Sequence, residues 1–278
     1  MNKALVNRII PFSAVDGPGN RTSIFLQGCN FNCLYCHNPE TINKCIHCGK
    51  CIDVCPQGAL YYKDNKVHWR DEICIKCDAC LKACTHNASP KVKEMSVENI
   101  LLQIKKVRPF IEGITVSGGE CTLQKDFLVP LFKEVKKLGL TCFVDTNGSI
   151  PLYEDKNLLQ VMDKAMIDLK SYPLEEHKML TSMENNIVLK NITELSKLDK
   201  LYEIRTVVVP ELLDNKHNVH MISSLIASLN PNIIYKIIKY RPLGVREEMI
   251  NSYTPSKECM EELYQIAINN GCKNVVIV

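Results

Sequence analysis

Eleven of the 15 cysteines in this 278-residue chain lie between positions 29 and 84, and their spacing restricts the fold more than any other feature. Eight of them form two runs of one rhythm: Cys45-x2-Cys48-x2-Cys51-x3-Cys55-Pro56, then Cys74-x2-Cys77-x2-Cys80-x3-Cys84. Residues 45–94 contain no long apolar run, so this segment cannot bury a large core and needs another source of cohesion. Disulfides are a poor source. The opening MNKALVNRIIPF holds no apolar stretch long enough for a signal peptide or a membrane span, which leads to the expectation of a cytoplasmic, reducing setting. Thiols at this density in such a setting indicate metal ligation.

The repeated spacing has the form found in bacterial ferredoxins, including the proline after the first run. Four soft thiolates per set suit a [4Fe–4S] cube, and in two-cluster ferredoxins the fourth cysteine of each run serves the other cube. The expected sets are Cys45, Cys48, Cys51 and Cys84 on one cube, and Cys74, Cys77, Cys80 and Cys55 on the other. Two zinc sites are the alternative, since four thiolates also bind zinc, but zinc ribbons use pairs set apart rather than three evenly spaced thiols plus a fourth.

A third group differs. In GCNFNCLYCHNPE, Cys29, Cys33 and Cys36 follow a short apolar segment (SIFLQ, 23–27) with spacing Cys-x3-Cys-x2-Cys and no fourth partner in rhythm. A cube held by three thiolates keeps one iron open to a non-protein ligand, so this is where chemistry can occur. The competing possibility is closure of the site by one of the remaining cysteines, Cys121, Cys142, Cys259 or Cys272.

The rest of the chain supplies a scaffold. With 46% apolar residues a sizeable core is available. The net charge of +3 gives no electrostatic reason to expect nucleic acid or an anionic membrane as partner. From residue 95 onward strand and helix patterns alternate. Ser96 can cap a helix that stops before Pro109. GITVS (113–117), LTCFVDTNG (140–148), AMIDLK (165–170), YEIRTVVVP (202–210) and NIIYKIIKY (232–240) read as strands, with helical spacing in 126–139 and 185–198 and a last helix opening with Pro255 at its first position. Alternation of this kind predicts an α/β fold with a parallel sheet of about six units, a partial (β/α)6 TIM-type barrel. Three regions follow: residues 1–44 begin the barrel, 45–94 form a small ferredoxin-like insert, and 95–278 complete the barrel. Asp16, Gly17, Pro18 and Gly19 form a tight turn placed before the first strand.

The cysteine trio, with aromatic Tyr35 before the third thiol, resembles the signature of radical S-adenosylmethionine (SAM) enzymes. DGPGNRTSIFLQGCNFNCLYCHNPE is similar, more specifically, to the activating enzymes of glycyl radical enzymes. The insert resembles that of the two-auxiliary-cluster members, and the N-terminal stretch is most similar to their YjjW-type branch. The resemblance covers essentially the whole chain. It implies three [4Fe–4S] clusters, SAM chelated to the open iron, and reductive cleavage to a 5′-deoxyadenosyl radical that takes hydrogen from a glycine of a partner protein. It further implies flavodoxin or ferredoxin as electron donor, and a monomer. The runner-up is a radical SAM maturase or small-molecule enzyme; a pure electron carrier would leave the trio and the barrel without a use.

By the same resemblance, Ser117, Gly118, Gly119 and Glu120 match the motif that binds the SAM ammonium, although Cys121 stands where many members have proline. Independently of it, carboxylates ending successive barrel strands converge on one mouth. That groups Asp145 with Asp168, Leu169 and Lys170, and sets Lys170 beside the cluster cysteines in the reacting centre. In the pyruvate formate-lyase activase the residues matching Asp145, Thr146, Met166 and Asp168 surround a monovalent cation, which the resemblance extends to this chain. Arg205, a charge inside a strand, needs a carboxylate partner or the SAM carboxylate. Arg241 is placed by the same resemblance among the SAM-binding residues, at an adenosine contact where that activase has histidine. His37 and Asn38 belong to the cluster loop near adenine, whereas His47, His68 and His86 are expected at the solvated surface.

Overall fold

The computed structural model describes residues 3–278. Its first strand, β1 (Lys3–Ser13), pairs antiparallel with β2 (Arg21–Leu26). The turn at residues 16–19 therefore joins two strands, where the sequence placed it ahead of the first. β1 escapes a sequence reading because Arg8 and Pro11 interrupt its apolar pattern and its register shifts twice against β2.

After the cysteine loop come α1 (Lys50–Asp53), the hairpin β3 (Leu60–Lys63) and β4 (Lys66–Trp69), and α2 (Ala79–Lys82). The hairpin turns through Asp64 and Asn65, both at positive φ (50° and 58°), a conformation that matches the twist of the flanking strands. The chain then returns to the large sheet with β5 (Lys93–Ser96), antiparallel to β1. From there elements alternate: α3 (Val97–Val107), β6 (Gly113–Gly118), α4 (Lys125–Lys137), β7 (Thr141–Thr146), α5 (Lys156–Val161), β8 (Lys164–Asp168), α6 (Leu174–Thr181), α7 (Asn186–Lys197), β9 (Leu201–Val208), α8 (Asn215–Leu229), β10 (Ile234–Lys239), α9 (Lys257–Asn269) and β11 (Asn274–Ile277).

The strand order is β11-β10-β9-β8-β7-β6-β2-β1-β5, with the run from β2 to β11 parallel throughout. This is an open α/β barrel with one more parallel strand than the six expected, because the C-terminal β11 also joins. Caps explain two helix starts. The Ser96 Oγ accepts from Asn99 N while Asn99 Oδ1 accepts from Ser96 N, a reciprocal cap for α3. Ser256 caps α9 by accepting from Cys259 N, so Pro255 sits one residue before the cap and not, as the sequence suggested, at the first helical position. Long α8 carried no sequence expectation; its buried face mixes Asn218 and Ser223 with Val219, Ile222 and Ile226, which blurs the apolar stripe.

The sheet has two unlike faces. Ile24, Leu26, Ile114, Val116, Val144, Ile167, Ile204 and Ile237 join the main core with Leu128, Phe132, Ile192 and Ile222 from the helices. Alternate positions on the same strands carry Ser23, Thr115, Ser117, Asp145, Asp168, Glu203, Arg205 and Lys236. Parallel strands are commonly apolar on both faces, so this polar inner face marks a site. Among the described residues no helix is long and apolar enough to cross a membrane.

Candidate active site

The loop after β2 brings Cys29, Cys33 and Cys36 to the C-terminal end of the parallel strands. They line a cavity of about 270 Å³ with Tyr35, Ser117, Gly118, Gly119, Asp145, Asp168, Lys170 and Arg205. These three are its lining cysteines. Backbone bonds hold the loop from both sides. Gly28 N and Cys29 N donate to Thr41 O and Ile42 O (both 2.8 Å), and Asn32 N and Leu34 N donate to Thr181 O and Leu180 O (3.0 and 2.9 Å) at the end of α6. Burial pushes the thiol of Cys29 up to about 12 and that of Cys33 to about 11. Cys36 is raised by burial as well, against the opposing pull of the Asn38 N–H, Lys170 and Arg246.

At the end of β6 the chain packs tightly on its own backbone. A Cβ on Gly118 would lie 2.2 Å from Leu26 N and O, and one on Gly119 would lie 2.3 Å from Gly28 O. The glycines thus allow β6 to approach β2 and the cysteine loop closely. Glu120 is 1% exposed and turned into the protein. Its carboxylate accepts from Thr122 N (2.9 Å), Thr122 Oγ1 (2.6 Å), Thr146 Oγ1 (2.7 Å) and Asn147 N (2.7 Å). Burial raises its pKa, and these donors oppose the rise. Glu120 therefore positions the turn after β7, whose Asn147 Nδ2 reaches Cys29 Sγ (3.8 Å) and Asn30 Oδ1 (3.2 Å).

The cavity wall along β7 to β10 is an ion network. Arg205 NH1 donates to Asp145 Oδ1 (3.0 Å), its Nε to Glu203, and its NH2 to Met166 Sδ (3.1 Å). Lys236 pairs with the other Glu203 oxygen (2.9 Å), and Ser117 Oγ donates to Asp145 Oδ2 (2.8 Å). The Arg205 charge thus has the carboxylate partners its burial demands. Burial pushes Asp145 up, with Arg205 opposing. Burial also works to raise Asp168, but Lys170, 2.7 Å away, and Arg205 outweigh it and hold that carboxylate below its usual range. Lys170 is raised in turn, its burial outweighed by Asp168. The residues grouped for a cation are divided here: Asp145 and Met166 meet through the Arg205 guanidinium, and the Thr146 hydroxyl donates to Glu120. Leu169 is backbone framing, its N–H donating to Arg205 O (2.9 Å) and its carbonyl accepting from Thr206 Oγ1.

A second, open groove of about 640 Å³ runs past Val15, Gly17, Tyr202, Glu203, Lys236 and Arg241, and shares His37, Arg205 and Ile238 with the cysteine cavity. Asp16 is fixed beside it, accepting from the hydroxyls of Ser13 and Ser23 (2.6 Å each). His37 Nε2 lies 3.0 Å from Arg241 O, and Asn38 lines the cavity.

In the cysteine-rich segment the two runs share one backbone form, offset by 29 residues. His47 and Lys76 (φ 57° each), Gly49 and Asp78 (84° and 58°), and Gly58 and Asn87 (57° and 49°) occupy equivalent positive-φ positions. The thiols line two cavities. One is lined by Cys45, Cys48, Cys51 and Cys84, the other by Cys55, Cys74, Cys77 and Cys80. Among the described residues no three Cys, His, Asp or Glu side chains converge as a single-ion site. The local core is small, Cys51, Leu60, Val67 and Cys80. His47, expected at the surface, is structural: its Nδ1 accepts from Val67 N (3.1 Å) and its carbonyl from the Tyr62 hydroxyl (2.7 Å). Cys121 is a packing thiol, buried and donating to Val116 O (3.2 Å).

Sequence reasoning missed Asn147 as a neighbour of Cys29, and it missed Arg246. The Arg246 side chain crosses to the cysteine loop, donating to Asn32 Oδ1 and Cys33 O (2.7 Å each). Asn147 lay inside the quoted DTNG turn, but nothing local marks Arg246.

The Radical SAM superfamily profile matches residues 23–221, the span that carries the trio and the strand ends just described. The chain belongs to the radical SAM superfamily. It is thereby an enzyme, and membership implies a [4Fe–4S] cluster and SAM. The cavity fits that requirement, with three thiols at the family spacing lining one space together with the polar strand ends. A Haemophilus influenzae protein that carries the name of a glycyl-radical enzyme activating enzyme is 31% identical over 98% of this chain and 96% of its own length. The (2S)-3-sulfopropanediol dehydratase activating enzyme of Klebsiella oxytoca is 31% identical, covering 80% of this chain and 76% of that protein. Among solved structures, QueE of Escherichia coli shares the fold, superposing with a TM-score of 0.57 over 99% of this chain and 94% of its own, at 14% identity.

Proposed function

We propose that this radical SAM enzyme activates a glycyl radical enzyme, in the manner of the YjjW-type, two-auxiliary-cluster activases. The observation that carries the reading is the meeting of Cys29, Cys33 and Cys36 with Ser117, Gly118, Gly119, Asp168, Lys170 and Arg205 in one cavity, which shares His37, Arg205 and Ile238 with the open groove beside it. The names of the relatives support it. When bound, the cluster supplies the electron that splits SAM into methionine and a 5′-deoxyadenosyl radical, the species that takes a hydrogen atom from the partner's glycine.

The chain's own residues do the rest. The three cysteines leave one position open, and because they bind iron as thiolates, loading releases protons, an effect that burial of the thiols strengthens. The backbone at residues 117–119 with Asp168, Lys170 and Arg205 takes the polar end of SAM, while Tyr35, His37 and Asn38 border the adenine. Arg241 and residues 15–17 border the path of the partner's glycyl loop. Two further [4Fe–4S] clusters sit in the insert of residues 45–94, a reading supported by the two four-thiol cavities with crossed fourth ligands and by the 29-residue structural repeat. Cys48 and Cys77 are exposed, which suits electron entry there from flavodoxin or ferredoxin.

The test is anaerobic incubation with SAM, reductant and a candidate partner, a large protein with an Arg-Val-x-Gly-Tyr-like C-terminal motif. A glycine-centred electron paramagnetic resonance (EPR) doublet on the partner is expected. Cys33→Ala should abolish SAM cleavage and lower bound iron by about one third, from about 12 to about 8 atoms per chain. SAM cleavage without a doublet on any such partner would transfer the chain to the maturase class, and cleavage surviving Cys33→Ala would remove the open site from the trio.

A further inference from the structure

The guanidinium of Arg246 is a buried cation without a counter-ion. The residue is 9% exposed and lies in the segment between β10 and α9. Its NH1 donates to Asn32 Oδ1 (2.7 Å), and its NH2 to Cys33 O (2.7 Å) and Asn32 O (3.5 Å). Its Nε is buried with no partner. Among the described residues no carboxylate pairs with it, whereas the other buried arginine of the cavity region, Arg205, pairs with two. The same segment presses on the cysteine loop at two further points. Arg241 O lies 3.0 Å from His37 Nε2, and a Cβ on Gly244 would stand 2.9 Å from His37 O.

Leaving a charge buried and unpaired is costly even after relaxation. Neutral carbonyl acceptors offset part of that cost but do not balance the charge. An anion that balanced the guanidinium would lie beside Cys33, because two of its three contacts are to backbone at residues 32 and 33. Arg21, also buried and without an ion-paired carboxylate among the described residues, differs in lying over the Phe143 ring and away from the cysteine loop. Resting on the assignment of the superfamily cluster to Cys29, Cys33 and Cys36, we propose that Arg246 is a positioning residue for that cluster: it fixes the backbone between the first two cysteines and supplies the buried positive charge that balances the thiolate-held cube.

A one-electron reduction makes such a cube more negative by one unit. A fixed cation nearby favours the reduced state and raises the reduction potential. Loss of the charge should therefore make the cluster harder to reduce. Loss of a single hydrogen bond, with the charge in place, should not.

The experiment uses the anaerobically reconstituted full chain, with iron and sulfide counted and potentials read by EPR-monitored redox titration. The trio's cluster is identified as the signal that changes when SAM is added. Arg246→Gln is expected to lower its reduction equilibrium constant about tenfold, a midpoint about 59 mV more negative for one electron. Arg246→Lys should show less than half that shift, and Asn32→Ala none. An unshifted potential in Arg246→Gln overturns the proposal, as does an equal shift in Arg246→Lys or Asn32→Ala, which would assign the effect to loop shape. If Arg246→Gln fails to hold the cluster, the other two variants decide. Loading of both at wild-type potential supports the charge role, and failure of Arg246→Lys to load overturns it. A wild-type protein with no SAM-responsive cluster signal would instead defeat the underlying cluster assignment.

Discussion

Replacing Gly119 by alanine tests the link between the sheet and the cysteine loop. The new Cβ would lie 2.3 Å from Gly28 O and 2.7 Å from Thr41 O. Comfortable carbon contacts begin near roughly 3.5 Å, so one backbone must move by about 1 Å. Neither neighbour is a side-chain tip that can swing away. Gly28 O accepts from Glu120 N (2.7 Å), and Gly28 N donates to Thr41 O (2.8 Å). Weakening both bonds costs about 1 kcal/mol each, and overpacking adds about 1–3 kcal/mol, for a total of about 3–5 kcal/mol. Gly58→Ala is the control: it has φ +57° and nothing within 4 Å of its would-be Cβ, so only the left-handed backbone penalty of about 1–2 kcal/mol applies. Because Cys29 follows Gly28, a shift of about 1 Å also displaces a ligand, whereas Gly58 adjoins none of the trio. Anaerobic urea unfolding and iron content after reconstitution measure the two effects. A Gly119→Ala protein as stable as Gly58→Ala, with full iron, would show that the close approach is not what holds the loop.

Arg205→Ala leaves Asp145 buried without its paired cation, while Glu203 keeps Lys236, and should destabilise the fold by about 3–5 kcal/mol. Burial already raises Asp145 in the folded state and Arg205 opposes it. Removing Arg205 raises it further, so the variant's deficit should grow as pH rises from the unfolded carboxylate range through the folded pKa; urea midpoints that fall equally at pH 5 and pH 8 would contradict this. Iron removal by an anaerobic chelator should expose residues 45–94 to protease first, since two of the four residues in that local core, Cys51 and Cys80, are expected cluster ligands. Mass spectrometry of the fragments locates the cuts, and initial cleavage in the barrel would refute the dependence.

The sequence exposed those parts of the molecule whose chemistry is written locally. Cysteine spacing states its own ligand geometry, and carboxylates such as Asp145 and Asp168 announce strand ends because a charge inside an apolar run has to face a mouth. It concealed what depends on distant packing. β1 is read poorly because its neighbours are β2 on one side and β5, some 90 positions later, on the other. The role of Gly119 depends on where Gly28 and Thr41 arrive. Glu120 looks like a ligand in sequence, yet four donors turn it inward. Arg246 is separated by 213 residues from the carbonyl it grips, and its neighbours in sequence give no hint of that contact.

Asn43 and Ala88 form a parallel bridge at the base of the cysteine-rich segment, and Asn43 Nδ2 also donates to His86 O (2.9 Å). The polypeptide thus departs from the barrel and rejoins it at one spot. No strand of the large sheet lies between Asn43 and Ala88, since β3 and β4 pair only with each other. The residues that line the trio's pocket all lie outside that span, so the eight-thiol segment is attached to the barrel at a point that leaves the pocket wall intact.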